Sequence, residues 1–383
     1  MSILSLPSTT DDIILDDLSA SELFKYGRTC KTIHAIVQSY IPRKFQVHKL
    51  LARYFTQEEI DHFRYLQAIT GMLISGSTAL QFFDRVEYPD SDLDLYLEHG
   101  YREEVGRWLL DIGYKYVARA TSATGRRRTF QNDLSLEPDS TPERMLTQRQ
   151  FIETGNGYLE DAQCVFSFEK DNPYRKVQMI TSINSPLERI LYFHSTCVMN
   201  IIAHDTAYSF FPRGTFNERR SLICVVASPH NQIGLAKYQK RGWSVELDIT
   251  RDEFDDSTFS FARGMRYVGD AQCWKLPVFP KIDAQCVSNI EANSWVVWYN
   301  EHLRIRMEYS VVKSHRLLTT YLIEQEDTHL QRHLREEIEG SETNVEEGDE
   351  EYFLDREFSS IIDWYRKGHY ASKTCHYSWP MMR

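Results

Sequence analysis

The chain has 383 residues, 42 % hydrophobic and 26 % charged. That is an ordinary globular mixture, which excludes a wholly disordered chain and leaves room for two domains and a smaller third piece. A formal net charge of −11 excludes a general nucleic-acid binder, which needs a basic surplus against phosphate.

No apolar run reaches the roughly 18–20 residues that span a bilayer, so no membrane association is expected. The opening MSILSLPSTTDD lacks the basic stretch and long apolar run of a secretory signal. The seven cysteines are widely spaced, with no Cys-x-x-Cys pair. Neither a zinc ribbon nor a disulfide framework follows, and reduced thiols in the cytoplasm or nucleus are expected.

In chain order, residues 1–48 read as short helices. Ile14, Leu15 and Leu18 supply the apolar positions of the first, Ser19 or Ser21 can cap the second, and a third stops before Pro42. About 40 residues make a poor core of their own, so this unit needs something to lean on. Residues 49–290 alternate helical and strand patterns. Met72-Leu73-Ile74 is a short strand ending at Ser75-Gly76-Ser77, and a helix follows over Thr78 to Phe83. Leu93, Leu95 and Leu97 alternate with Asp92, Asp94 and Tyr96. Tyr101 to Ile112 is amphipathic, and Arg126, Arg127 and Arg128 form a basic hairpin tip. Two strands flank the turn Asp171-Asn172-Pro173. Ser185-Pro186 opens a long helix carrying His194 on its apolar face. Lys237, Lys240 and Arg241 before Gly242 read as a basic helix end with a glycine cap. Residues 291–383 read as mostly helical, with Trp295, Trp298 and Tyr299 packing inside a helix. Nine acids and no Lys or Arg between Glu336 and Glu351 mark 336–351 as an acidic mobile loop.

One constellation carries chemistry. Strand side chains alternate faces, so Asp92 and Asp94 point the same way, about 7 Å apart along the strand. Two carboxylates so placed can hold a hard cation such as Mg²⁺. The small pair Gly76-Ser77 opens a helix whose free N–H groups suit phosphate oxygens. Together they would present a metal-bound nucleoside triphosphate to an attacking hydroxyl.

Ser75-Gly76-Ser77 followed by the Asp92-x-Asp94 strand resembles the nucleotidyltransferase (polymerase-beta-like) superfamily over roughly residues 60–200. The resemblance implies an α+β fold, a mixed sheet flanked by helices. It also implies Asp92 and Asp94 as metal ligands and Gly76 and Ser77 as nucleotide-binding residues. A third carboxylate belongs on a later strand. Gln178 stands in Lys176-Val177-Gln178-Met179-Ile180 where it is expected, and an amide is a very poor base that adds no charge. Glu169 is a substitute candidate. The site is therefore read as degenerate, a pseudoenzyme.

The start resembles an F-box over residues 4–40, through Leu6-Pro7, Ile14, Leu15, Leu18, Ser21-Glu22-Leu23 and Thr29-Cys30-Lys31. Thr9-Thr10-Asp11 departs from the usual acidic first helix, and His34 stands where a Trp is usual. The resemblance implies docking of Leu6, Pro7, Ile14, Leu15 and Leu18 on a Skp-type ubiquitin-ligase adaptor. The bland alternative is a helical cap on the next domain. Both resemblances together imply a eukaryotic, fungal-type protein. Its nucleotidyltransferase-like body would serve as a non-catalytic recognition or nucleotide-binding module, a substrate receptor of a cullin–RING ligase for an unknown target protein. The competing reading is an active Mg²⁺-dependent nucleotidyltransferase acting on a protein, RNA or small-molecule hydroxyl. A third is a scaffold without a ligand.

Overall fold

The computed structural model describes residues 8–89, 91–118, 129–134, 163–225, 229–281, 289–314, 316–324, 330, 332–334, 336–337 and 354–373. Leu6, Pro7, Arg126, Arg127, Arg128 and the acidic window beyond residue 337 lie outside them.

The N-terminal helices form for local reasons. In α1 (Ser8–Asp17), α2 (Ala20–Gly27) and α3 (Lys31–Lys44), capping and charge pairing do the ordering. The Ser19 hydroxyl accepts from the Glu22 N–H, and the Glu22 carboxylate accepts from the Ser19 N–H, a reciprocal cap on α2. Helix α3 does not stop before Pro42. It runs on to Lys44 because its last turn is held to α1: Arg43 pairs with Asp12, and Lys44 and the Tyr40 hydroxyl both reach Asp16.

This unit leans on the body. Leu15, Leu23, Val37 and Tyr40 are at most 1 % exposed and share one core with Phe82 and Phe83. Arg85 of the body donates to the carbonyls of Leu15 and Leu18. Leu15 is thus a core residue and not part of an open docking face. Ile14 and Leu18 are half-buried, while Ile13 is 66 % exposed.

Past α4 (Val47–Leu51), α5 (Gln57–Thr70) is capped by Thr56 with Glu59 and ends at Gly71 in the left-handed region. The chain then builds an eight-stranded sheet in the order β11-β7-β6-β1-β2-β5-β4-β3. Its strands are β1 (Leu73–Ser75), β2 (Leu93–Glu98), β3 (Lys115–Val117), β4 (Gln163–Lys170), β5 (Arg175–Ser182), β6 (Asn200–Ile202), β7 (Thr206–Ser209) and β11 (Trp274–Pro277). The β2–β5 pair is parallel and its neighbours are antiparallel, so the sheet is mixed. The helices α6 (Gly76–Asp84) and α7 (Arg102–Asp111) complete this α+β body.

Alternation along β2 sorts the two faces. Leu93, Leu95 and Leu97 enter the core that holds Trp108, Phe168 and Met179. Tyr96 enters a second core with Ile180, Leu187 and Ile201, and Asp92 and Asp94 share its face. Ser185 does cap a helix with Pro186 at its first turn, but that helix ends at Leu191. His194 therefore lies beyond it, and the chain continues through a 3₁₀ turn at Thr196–Val198 into β6.

The expectation of a helical C-terminal region from 291 onward is corrected. The segment Ser294–Tyr299 is β12, the centre of a sheet between β10 (Gly264–Tyr267) and β13 (Ile305–Glu308). The run Ser-Trp-Val-Val-Trp-Tyr is β-branched and aromatic, which suits a strand buried on both faces. Because β10 precedes residue 290 and β12 follows it, no domain boundary falls at 290. Two small pairs complete the strands, β8 (Arg220–Leu222) with β9 (Ser244–Glu246) and β14 (Ser310–Val312) with β15 (Tyr321–Ile323). The helix Asp355–Lys373 returns, as its apolar pattern suggests, to bury Phe358, Ile362 and Tyr365 against Leu317 and Tyr321.

Candidate functional site

The strand–helix junction at Gly76 packs against Asp94. Gly76 has φ +66°, which side-chain-bearing residues rarely adopt, and a Cβ there would lie 2.7 Å from Asp94 Oδ2. Glycine is needed on both counts. Ser75 beside it donates to the Asn200 carbonyl. Ser77 is buried, with its hydroxyl 3.3 Å from that of Ser91. It therefore braces the loop before β2 and is not an open hydroxyl. Thr78 and Tyr54 brace the same loop, donating to the carbonyls of Asp92 and Ser91 at 2.8 and 2.6 Å.

The β2–β5 ladder decides the chemistry. Asp94 stands directly abreast of Gln178, with Ser75 on its other side. One pleat earlier, Lys176 comes abreast of Asp92, and its Nζ lies 2.8 Å from Asp92 Oδ2. The position beside Asp94 is thus filled by an amide, and the cation on Asp92 is an ammonium from the chain itself. Glu169 is not brought to the pair. It stands abreast of Lys176 on β4, so Lys176 separates it from Asp92 by two strand spacings, about 10 Å. Among the described residues, no group of three or more His, Cys, Asp or Glu converges to hold a metal ion. Two carboxylates, an amide and an ammonium do not fit a two-metal phosphoryl-transfer site.

The helix Pro229–Lys240 brings a further cation to bear on the pair. Lys237 and Lys176 are the cations that act on Asp94. They only partly offset burial and the neighbouring Asp92, which together push the Asp94 carboxyl up to about 7. Lys237 in turn is pulled below the usual ammonium range by desolvation and by Arg241. The Arg241 guanidinium lies 3.5 Å from the centre of the Tyr88 ring, and Gly242 at φ +98° closes the helix as its sequence suggests. His194 packs beneath this helix, with Nδ1 2.7 Å from the Ser195 hydroxyl and its ring beside Tyr238. That is a packing role.

Lys176, Tyr54 and Tyr88 were not marked by the sequence reading. For Lys176 a signal existed: the two-residue period that pairs Asp92 with Asp94 also pairs Lys176 with Gln178. Two surface cavities of roughly 260–270 Å³ lie elsewhere, one beside Gln67 and Tyr208 and one beside Leu18 and Phe216.

Compared with protein-family models, with curated proteins and with solved structures, the chain matches none. No helix of the described residues is long and apolar enough to cross a membrane.

Proposed function

We propose that this chain is a non-catalytic recognition protein. Its nucleotidyltransferase-like body would take the phosphates of a nucleotide beside Gly76, and its F-box-like N-terminal helices would dock on a Skp-type adaptor. One observation carries the non-catalytic half: Gln178 stands abreast of Asp94 while Lys176 occupies Asp92. General-base catalysis is worth about 10²–10⁴-fold, and an amide supplies none of it. With Asp92 already paired, the metal half of the chemistry is missing as well.

The direct test incubates the full chain with labelled nucleotides, Mg²⁺ or Mn²⁺, and protein and RNA acceptors. No transfer is expected. Label transfer that disappears in Asp94→Asn would establish the active-enzyme reading instead.

The docking half is supported by the capped short helices and by Ile13, apolar and 66 % exposed. Ile13→Asp should abolish capture of a Skp-type adaptor and leave the melting temperature unchanged. Leu15→Ala, a core truncation, should destabilise the body by about 2–5 kcal/mol. If the intact chain captures no adaptor, the three helices are a cap on the body and nothing more.

A further inference from the structure

The N-terminal helices carry an apolar face that needs a cover, because a unit of about 40 residues buries too little area to hold a core of its own. In this structure the body is the cover. Leu15 and Leu23, both 1 % exposed, lie in one core with Phe82 and Phe83 of α6. A polar group fastens the seam. Arg85, at the end of α6, donates to the carbonyls of Leu15 and Leu18 and, at 2.8 Å, to the Tyr40 hydroxyl. That hydroxyl in turn donates to Asp16 at 2.7 Å. Carbonyls at a helix end have no partner within the helix, so the body's guanidinium supplies the C-terminal cap of α1. Arg85 holds this pose at φ +53°, a backbone conformation that is costly for a residue with a side chain. Beside the fastening the seam is unfilled. A cavity of about 260 Å³ lies between Leu18, Ser19 and Glu22 on one side and Phe83, Arg85 and Phe216 on the other. Protein interiors are close-packed, and a void of this size marks an interface.

Leu15 and Leu18 are also residues that F-box-like docking needs. One apolar face cannot be buried against the body and against an adaptor at once. We infer that this structure is the closed form of the N-terminal unit, in which Arg85 latches the face of Leu15 and Leu18 onto α6, and that an adaptor competes with the body for that face. The inference rests on the proposed adaptor-docking reading for the partner's identity and adds its regulation: full docking requires release of the Arg85 latch. The fastening itself loses little on opening, since water can serve the guanidinium and the carbonyls alike, and the adaptor replaces the apolar cover.

Hydrogen exchange and binding to a purified Skp-type adaptor are measured on the full chain and on its Arg85→Ala variant. The variant should exchange the amides of α1, α2 and α3 about tenfold faster, with those of β2 and β5 unchanged. It should bind the adaptor about fivefold more tightly, because a larger fraction of the chain is already open. Arg85→Lys keeps a cation at the seam and should fall between the two. If Arg85→Ala does not fold, Arg85→Lys decides alone, with smaller changes in the same directions. In a folded variant, unchanged exchange in α1, α2 and α3, or a rise shared equally by β2 and β5, overturns the inference and makes the unit part of the body's core. Equal adaptor affinity in wild type and variant overturns it too, and places docking on surface that is already open. Binding by neither form, with faster exchange confined to the three helices, supports the latch and overturns the adaptor reading instead.

Discussion

Two charge clusters in this molecule are built in opposite ways. Between β10 and the turn after it, Arg266 and Asp270 are 1 % and 8 % exposed and bonded at 2.5 Å. The Asp270 carboxylate also accepts from the N–H groups of Tyr267, Gln272 and Cys273. Arg266 donates to the Phe210 carbonyl and lies against Phe211 and Trp295, where its one unmet nitrogen is sealed from any ligand. At the β2–β5 pair, by contrast, Asp94 is crowded by Asp92 and only partly compensated by Lys237 and Lys176. The first cluster is charge spent on structure. In the second, the fold tolerates an imbalance of charge on a carboxylate it partly buries.

The largest effect should come from breaking the closed cluster. Asp270→Ala leaves Arg266 buried and unpaired, and should cost about 3–5 kcal/mol in a urea melt. A loss below about 1 kcal/mol would show that the two clusters do not differ as described.

At the open cluster, Gly76→Ala combines a positive φ with a Cβ 2.7 Å from Asp94 Oδ2. It should cost about 1–3 kcal/mol. Combining it with Asp94→Ala should recover the steric part and leave the backbone part, which a double-mutant cycle reads directly.

Asp94→Asn should have the opposite sign. The native carboxyl is raised to about 7 from an ordinary 3.8, so the folded state takes up the proton first as pH falls. This group's contribution is fully present below about pH 4 and is lost as pH rises through 7. Above that, the buried charge is a net cost that the amide removes. The variant should be more stable than the wild type by about 1–2 kcal/mol at pH 8, with the gain fading toward pH 4. Denaturant melts at both pH values check it, and a destabilised variant at pH 8 would mean that Lys176 and Lys237 compensate Asp94 in full.

The smallest effect sharpens the contrast. Lys237→Ala should change stability by no more than about 0.5 kcal/mol in the same melts, since it removes an exposed side chain with no ion pair among the described residues. A larger loss would make Lys237 part of the scaffold.

How much of this was legible in the chain depends on the range of the rule involved. The alternation of β2, the strand–Gly76–helix junction, the Ser19 cap and the glycine close after Arg241 follow from neighbours a few residues apart, and each stands where its pattern puts it. Period-2 alternation was also enough to put Gln178 on one face of its strand. The partners across the strands were out of reach. Lys176 meets Asp92 across 84 residues, and Arg241 meets Tyr88 across a longer interval still. The residues Ser294–Tyr299 could pass for a buried helix until β10 and β13 flanked them, because an apolar run of that length suits either element. Leu15 shows the same limit, since its spacing marks an apolar helix face and only Phe82, Phe83 and Arg85 of the body determine that the face is covered. Local periodicity fixes which side chains share a face, whereas register and docking are set by which distant surfaces bury the most apolar area together, a property of the whole chain.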